Sequence, residues 1–153
     1  MNDLAHSESE DIRDTAFYVM LQSSSLKMHD LALSIISDEK ELENGIMLLC
    51  RNFKLKDEML LYNAIKRVKI NKNSSWHGAY MAIELAFEKG HWKPRTDILL
   101  FVYENTLCSF CRLGIVKLMN QHKVLTKGIL DECFLDSNAD IRVFAEAKLK
   151  KWK

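Results

Sequence analysis

Apolar residues recur three or four positions apart along almost the whole chain, which is the spacing of one face of a helix, and strand-like alternation is nearly absent. The pattern predicts an all-α protein of about nine helices. The apolar stripes lie at positions 12–20, 28–36, 42–53, 61–68, 79–87, 98–102, 107–118, 125–134 and 141–152.

Polar residues between the stripes predict where the helices begin. Ser7 with Glu10, and Asp38 with Glu41, have the spacing of a capping box, in which a side chain at the helix start and one three residues later bond each other's backbone. The run NKNSS predicts a loop, after which Ser74 or Ser75 can cap the next helix. Only five glycines and one proline interrupt the sequence, which favours helices.

Length and hydropathy predict one domain over residues 1–153, with residues 1–7 flexible. The longest apolar runs, GIMLLC and ILLFVY, are far shorter than the roughly 18 residues that indicate a membrane span. The acidic N-terminal stretch MNDLAHSESED lacks the apolar region of a signal peptide. We therefore expect a cytoplasmic protein whose four cysteines stay reduced.

Two stretches near opposite ends of the chain share one pattern. EDIRDTAFYVM and ADIRVFAEAKL both contain an acidic residue, an aliphatic residue and an arginine in succession. A small residue follows four positions after the aliphatic one, and a large apolar residue follows eight positions after it. The arginines are Arg13 and Arg142, and the small residues are Ala16 and Ala145. A small residue at this position allows a neighbouring helix to approach closely.

The small residues also mark a repeat. Ala82 precedes Gly114 by 32 residues, and Gly114 precedes Ala145 by 31. Nine helices then divide into one lone helix and four antiparallel pairs of about 32 residues each, which predicts a stack of helix pairs. An irregular helical bundle is the alternative architecture.

The stretch DSNADIRVFAEAKL resembles the second helix of a HEAT repeat. The resemblance implies a right-handed HEAT-like α-solenoid, in which an aspartate caps the helix and an arginine ties adjacent repeats together. Asp140 and Arg142 would take these roles near the C-terminus, and Asp11 and Arg13 near the N-terminus. CSFCRLGIVKLM keeps the small residue but has Cys111 where the arginine belongs.

No catalytic motif appears, and we expect a protein that is not an enzyme and needs no cofactor or metal. Cys108 and Cys111 form a CxxC near a predicted helix start, where a thiol pKa is lowered, so a redox pair is one alternative to a pair of small core residues. Zinc would need a set such as Cys108, Cys111, His122 and Cys133, which lacks the usual ligand spacing.

Charge is unevenly distributed although the net charge is only +1. Residues 1–60 hold 12 acidic and 6 basic residues, whereas residues 61–153 hold 9 acidic and 16 basic. Some HEAT-like proteins, DNA glycosylases among them, wrap nucleic acid, and Lys66, Arg67, Lys69 and Lys72 are the candidates for phosphate contacts. The near-neutral balance disfavours that alternative.

The acidic half indicates a protein partner instead. Acidic residues at the ends of successive helices would steer a basic protein, and large aromatic residues would anchor it. The predicted partner-binding residues are Asp38, Glu39, Glu41, Glu43, Asp57, Glu58, Tyr62, Trp76 and Trp92.

In size and character the chain resembles the immunity proteins of bacterial contact-dependent growth inhibition systems. That resemblance implies binding to a basic toxin domain, a nuclease for example, and occlusion of its active site, without a membrane or small-molecule substrate. A general adaptor is the alternative within the same class.

Overall fold

The computed structural model describes residues 7–68 and 96–152, together with Leu4, Tyr80, Ile83 and Glu84. These residues form helices, turns and loops, and no strand occurs among them. A short 3₁₀ helix, Leu55–Asp57, precedes the fourth α-helix. The α-helices are α1 (Glu10–Leu21), α2 (Leu26–Ile35), α3 (Leu42–Arg51), α4 (Glu58–Arg67), α5 (Thr96–Asn105), α6 (Ser109–Gln121), α7 (Lys127–Phe134) and α8 (Ala139–Leu149).

The all-α prediction is confirmed for the part of the chain that is described. Eight α-helices are present there, not about nine, and they correspond to eight of the apolar stripes. The remaining stripe, at 79–87, falls mostly outside the described residues, although Tyr80, Ile83 and Glu84 are helical. None of the described helices has the length and hydropathy required to cross a membrane.

The chain divides into two compact units, Met1–Trp92 and Lys93–Lys153. In the first unit α2 and α3 form the most extensively packed pair, and α1 and α4 each pack against α3. In the second unit α5 packs on α6, α7 packs on α8, and α6 also contacts α8. Each unit therefore consists of neighbouring helix pairs, and the single domain remains a prediction.

A glycine permits the tight packing of α2 on α3. A Cβ atom on Gly45 would lie 3.1 Å from Ile36 Cβ and 2.8 Å from Ile36 Cα, and the second distance is closer than real Cβ atoms come to other atoms. Ile46, Leu48 and Leu49 follow on α3 and have no exposed surface. The close approach of the two helices thus begins at Gly45 and continues into the apolar core of the first unit.

The stripe predicted for α1 is only half correct. Ala16 and Met20 are buried as expected, but Phe17 is buried with them, while Ile12 and Val19 are 44% and 47% exposed. The buried face of α1 is therefore rotated from the predicted one. Apolar spacing alone cannot distinguish the face that includes Phe17 from the face that includes Ile12 and Val19, because apolar residues lie on both sides of Ala16 and Met20 around the helix.

The predicted capping boxes do not mark the helix starts. Helix α1 begins after Ser9, and the hydroxyl of Ser7 accepts a bond from the Ser9 amide instead, at 3.2 Å. Helix α3 begins after Glu41, whose side chain makes no capping bond. Asp38 lies farther upstream and accepts from the Lys40 amide at 2.9 Å. Both helices begin later than predicted.

One arginine interaction recurs at the start of three helices. Arg13 in α1, Arg112 in α6 and Arg142 in α8 each occupy the fourth helical position. Each donates to the carbonyl six residues earlier: Arg13 to Ser7 at 2.7 Å, Arg112 to Thr106 at 3.0 Å and Arg142 to Asp136 at 2.7 Å. We call this interaction the arginine closure, because it folds the preceding loop back onto the helix.

The arginine closure corrects the sequence alignment of α6 with α1 and α8. Alignment on Gly114 placed Cys111 at the arginine position, but Arg112 occupies it, one residue later. The equivalent of Ala16 is then Ile115, which is fully buried. The arginine is thus present in α6, whereas the small residue after it is not.

Asp136 joins α6 to the loop before α8, and the capping role expected of Asp140 belongs to Asn138. Its carboxylate accepts from the Arg112 guanidinium at 2.7 Å and from the Asn138 amide at 2.8 Å, while its carbonyl accepts from Arg142. Asn138 caps α8 by accepting from the amide of Asp140, whose side chain is exposed. Asp136 therefore links α6 to the start of α8.

Candidate binding surfaces

The turn between α2 and α3 holds the exposed acidic residues that the sequence singled out. Asp38 and Glu39 are exposed there. Arg67 of α4 donates to the Glu39 carboxylate from Nε at 3.0 Å and from Nη2 at 2.6 Å. The same guanidinium donates to the carbonyls of Ile36 and Ser37 at the C-terminal end of α2. The negative charge of Glu39 is thus partly neutralised, and the Arg67 guanidinium already bonds groups of the first unit.

Glu41 and Glu43 are only half-exposed. The Glu41 carboxylate lies 3.7 Å from Arg13 Nε and accepts from the Asn44 amide group at 3.0 Å. Glu43, on the first turn of α3, also makes an interaction. Glu41 therefore helps to hold α1 beside the start of α3, and Asp38 contributes the most available negative charge of this turn.

Asp57 is a correction to the predicted acidic surface, because it is buried. Its Oδ2 lies 2.7 Å from Nε2 of His29, which is itself buried, and it also accepts from the Lys54 amide at 3.1 Å. Lys54 Nζ lies 3.4 Å from the other ring nitrogen of His29. A His29 tautomer with its proton on Nε2 satisfies both contacts. This pair stabilises the loop before α4 and cannot contact a partner.

The remaining predicted residues give a mixed result. Glu58 and Tyr62 are half-buried on α4, and Lys66 Nζ lies 5.1 Å from the centre of the Tyr62 ring. Trp76 and Trp92 lie outside the described residues. Tyr62 is consequently the one predicted aromatic anchor that the described structure places, and it already contacts a lysine of its own helix.

An apolar groove on α1 was missed by the sequence reasoning. It measures about 440 Å³, and its lining includes Leu4, Ile12, Thr15 and Val19. Tyr18 on the same helix is 68% exposed. The sequence signal was present, since these residues lie at helical spacing, but their pattern was assigned to the core. We call the groove, together with Tyr18 and the exposed Asp11 and Asp14, the α1 surface.

A second pocket, of about 470 Å³, opens at the start of α2 and is lined by Ser25, His29, Arg51 and Lys54, among others. Arg51 Nε is fully buried and has no hydrogen-bond partner. Cys50 also borders the pocket, but its side chain is buried, and burial raises the pKa of the thiol, so it stays protonated. The pocket therefore combines cationic side chains with a helix start and suits an anion better than nucleophilic chemistry.

The other sites considered from sequence have mixed outcomes. Within the described ranges, no three His, Cys, Asp or Glu side chains come together as metal ligands, which includes the proposed zinc set. Lys69 and Lys72 lie outside those ranges, and Arg67 is engaged by Glu39. The four cysteines lie within those ranges, and none of them forms a disulfide.

Comparisons with protein-family profiles, with curated proteins and with solved structures return no match to this chain.

Proposed function

We propose that the chain is a protein-binding module built from HEAT-like helix pairs and that its α1 surface binds a basic protein segment carrying an apolar side chain. The apolar groove on α1 is the observation that carries the proposal. Large apolar side chains that remain exposed beside one another are typical of contact surfaces. Asp11 and Asp14 add negative charge to it, and residues 7–22 hold four acidic residues and one arginine.

The HEAT-like part of the proposal is supported by which helices touch. In a stack of helix pairs, each pair packs against the next one. Helices α6 and α8, which belong to two successive pairs, contact each other in the second unit, and the lone helix α1 contacts α3 in the first. The arginine closure recurs at the start of α1, α6 and α8, as expected for copies of one unit.

Affinity and association rate come from different residues in this proposal. Ile12 and Val19 provide apolar area, and removal of such area from water stabilises a complex by about 25 cal/mol per Å² before the costs of association. Asp14 and Asp38 are exposed and attract a basic partner, which raises the association rate more than the final affinity. Rising salt should therefore slow association.

The partner that fits best is a toxin domain, as in the immunity proteins that the sequence resembles. A basic nuclease offers positive charge around its phosphate-binding cleft, which complements an acidic surface. The chain would neutralise such a domain by covering the cleft, so that no catalytic group of its own is required. A general adaptor would use the same surface without inhibiting its partner.

The test begins with a photo-crosslinking amino acid at Thr15, which lines the groove, in cells that produce the chain. The captured protein is then purified, and its affinity is measured for the natural chain and for Val19→Glu. We expect Val19→Glu to weaken binding at least tenfold, or about 1.4 kcal/mol. Val143→Glu is the matched control, because Val143 is also an exposed helical valine but lies in the second unit.

The results separate the alternatives. Equal loss of affinity in the two valine variants, or capture of a protein without basic character, would refute the α1 surface as the binding site. If the captured protein is toxic and the natural chain suppresses its activity while Val19→Glu does not, the immunity role is supported. If binding is specific but no activity is suppressed, the chain is an adaptor.

A second candidate function is recognition of a phosphate group in the pocket at the start of α2. The buried, unpartnered Nε of Arg51 favours it, since an uncompensated guanidinium donor is costly unless a ligand accepts its bond. Inorganic pyrophosphate is a suitable calorimetric probe. Arg51→Met should weaken its binding at least tenfold, whereas Met at the nearby exposed Lys56 should not. Equal binding by both variants would exclude the pocket.

A further inference from the structure

Cys108 and Cys111 form a close pair at the start of α6. Cys108 is the residue immediately before the helix, and Cys111 is its third residue. Cys108 is partly exposed, whereas Cys111 is buried, with 3% of its surface exposed. Three positions separate them, so both lie on the first turn of α6. A reactant in solution can therefore reach the Cys108 thiol, whereas the neighbouring Cys111 thiol is shielded from it.

We propose that Cys108 and Cys111 are a redox pair that exchanges electrons with disulfides. This inference does not depend on the α1 surface or on a protein partner for it. It concerns the second unit only, where the CxxC motif has no role in the proposed binding.

The reaction has two steps. The Cys108 thiolate attacks one sulfur of a disulfide R–S–S–R, which forms a mixed disulfide with Cys108 and releases one R–S⁻. The Cys111 thiol then loses its proton to water and attacks the Cys108 sulfur, which closes the Cys108–Cys111 disulfide and releases the second R–S⁻. The pair is oxidised by two electrons, and R–S–S–R is reduced to two thiols.

The surroundings of Cys108 favour its thiolate. Its partial burial raises the pKa, but the amide and side chain of Cys111, the amide of Phe110 and the positive charge of Arg112 lower it by more, so the pKa of Cys108 lies below its usual value. Arg112 is held by Asp136 at 2.7 Å and by the Thr106 carbonyl at 3.0 Å. The cation is therefore fixed in place near the sulfur.

The other two cysteines lie in the opposite environment. Cys50 is fully enclosed, and burial raises its pKa. Burial also raises the pKa of Cys133, and the nearby carboxylates of Asp136 and Glu132 add to this effect. Both thiols are therefore protonated at neutral pH and shielded from solvent, so they act as internal controls within the same chain.

The surface beside Cys108 gives a disulfide substrate room to approach. Leu107 and Phe110 flank the cysteine and are 74% and 73% exposed. Two exposed apolar side chains next to a partly exposed thiol offer contact area for the body of a disulfide-bearing peptide. The buried Cys111 cannot be reached in this way, which sets the order of the two steps.

The experiment treats the reduced, full-length chain with glutathione disulfide and follows its intact mass. We expect the natural chain to lose the mass of two hydrogens, and peptide mapping should find Cys108 joined to Cys111 while Cys50 and Cys133 stay reduced. Cys111→Ser should instead accumulate a glutathione adduct at Cys108. Cys108→Ser should slow oxidation at least about tenfold, because only shielded thiols remain. Circular dichroism verifies that each variant is folded.

Two results would overturn the proposal. In the first, the natural chain retains a glutathione adduct at Cys108 and Cys111 never displaces it. In the second, Cys50 or Cys133 reacts as fast as Cys108 in the folded protein. Release of glutathione from the adduct, absent in Cys111→Ser but rapid in the natural chain, distinguishes a working pair from a single reactive thiol.

Discussion

Removal of the Asp136 carboxylate is expected to destabilise the second unit more than removal of an exposed carboxylate. The Asp136 side chain is 3% exposed and accepts bonds from Arg112 and from the Asn138 amide. Asp136→Ala removes the acceptor of Arg112 Nη1 and of the Asn138 amide, while Arg112 Nη2 keeps its bond to the Thr106 carbonyl. Arg112 is 30% exposed and can recover part of its hydration.

The magnitude follows from these two bonds. A hydrogen bond between charged groups contributes about 1.5–3 kcal/mol, and a buried donor left without an acceptor costs about 1–3 kcal/mol. Because Arg112 keeps some contact with water, we take values from the lower half of both ranges and expect a loss of about 3 kcal/mol for Asp136→Ala. Arg112→Met combined with Asp136→Ala should show a coupling of at least about 1 kcal/mol.

The assay is urea denaturation followed by circular dichroism. Asp131→Ala is the control, because Asp131 also pairs with a cation, Lys127 at 3.0 Å, but its side chain is 52% exposed. An exposed pair of this kind contributes less than about 0.5 kcal/mol. If both variants lose the same stability, or if Asp136→Ala loses less than about 1 kcal/mol, the assignment of Asp136 as a structural hub is wrong.

The pH dependence gives an independent check. Burial raises the pKa of Asp136, but the Asn138 amide and the Arg112 guanidinium lower it by more, so the pKa of the folded state lies below the ordinary value of 3.8. A carboxyl group with a lowered pKa contributes stability that is present above its unfolded pKa and lost as pH falls through the folded pKa. The natural chain and Asp136→Ala should therefore converge in stability at pH values below 3.8.

Two further substitutions test the first unit. Gly45→Ala should destabilise it by about 1–3 kcal/mol, since the new methyl group would lie 2.8 Å from Ile36 Cα. Gly128→Ala is the control: its methyl group would lie 4.0 Å from Thr126 Oγ1, an ordinary contact, and the change should be neutral or stabilising by up to about 1 kcal/mol. Asp57→Ala should cost about 2–4 kcal/mol because His29 is left buried without its carboxylate. Urea denaturation measures both effects, and a loss below about 1 kcal/mol for either Gly45→Ala or Asp57→Ala would contradict the packing described.

The sequence predicts the helices well because their signal is local. Apolar spacing located eight helices, and turn residues separated them. The face of α1 was predicted less well, since Ile12 and Val19 are exposed while Phe17 is buried. Which edge of an apolar stripe is covered depends on the neighbouring helix, and no local pattern contains that information.

The candidate site was harder to predict because its decisive contacts are distant in sequence. Asp57 has the features of a solvated residue at a helix start, yet its partner, His29, lies 28 positions earlier. Glu39 and Arg67 are also 28 positions apart, so their mutual neutralisation is invisible to a count of charges along the chain. Residues 1–60 have an excess of acidic residues in the sequence, but not all of these carboxylates are available at the surface. Glu39 forms an ion pair with Arg67, and Asp57 is buried.

The arginine closure is hard to recognise in the sequence. Its acceptors are backbone carbonyls, those of Ser7, Thr106 and Asp136, and a carbonyl is present whatever side chain the residue carries. The closure therefore requires an arginine at the fourth helical position but places no requirement on its acceptors. The carboxylate partners differ as well, since Arg112 pairs with Asp136 and Arg13 with Glu41. The start of a helix that is held mainly through backbone bonds can thus keep its local geometry while most of its residues differ.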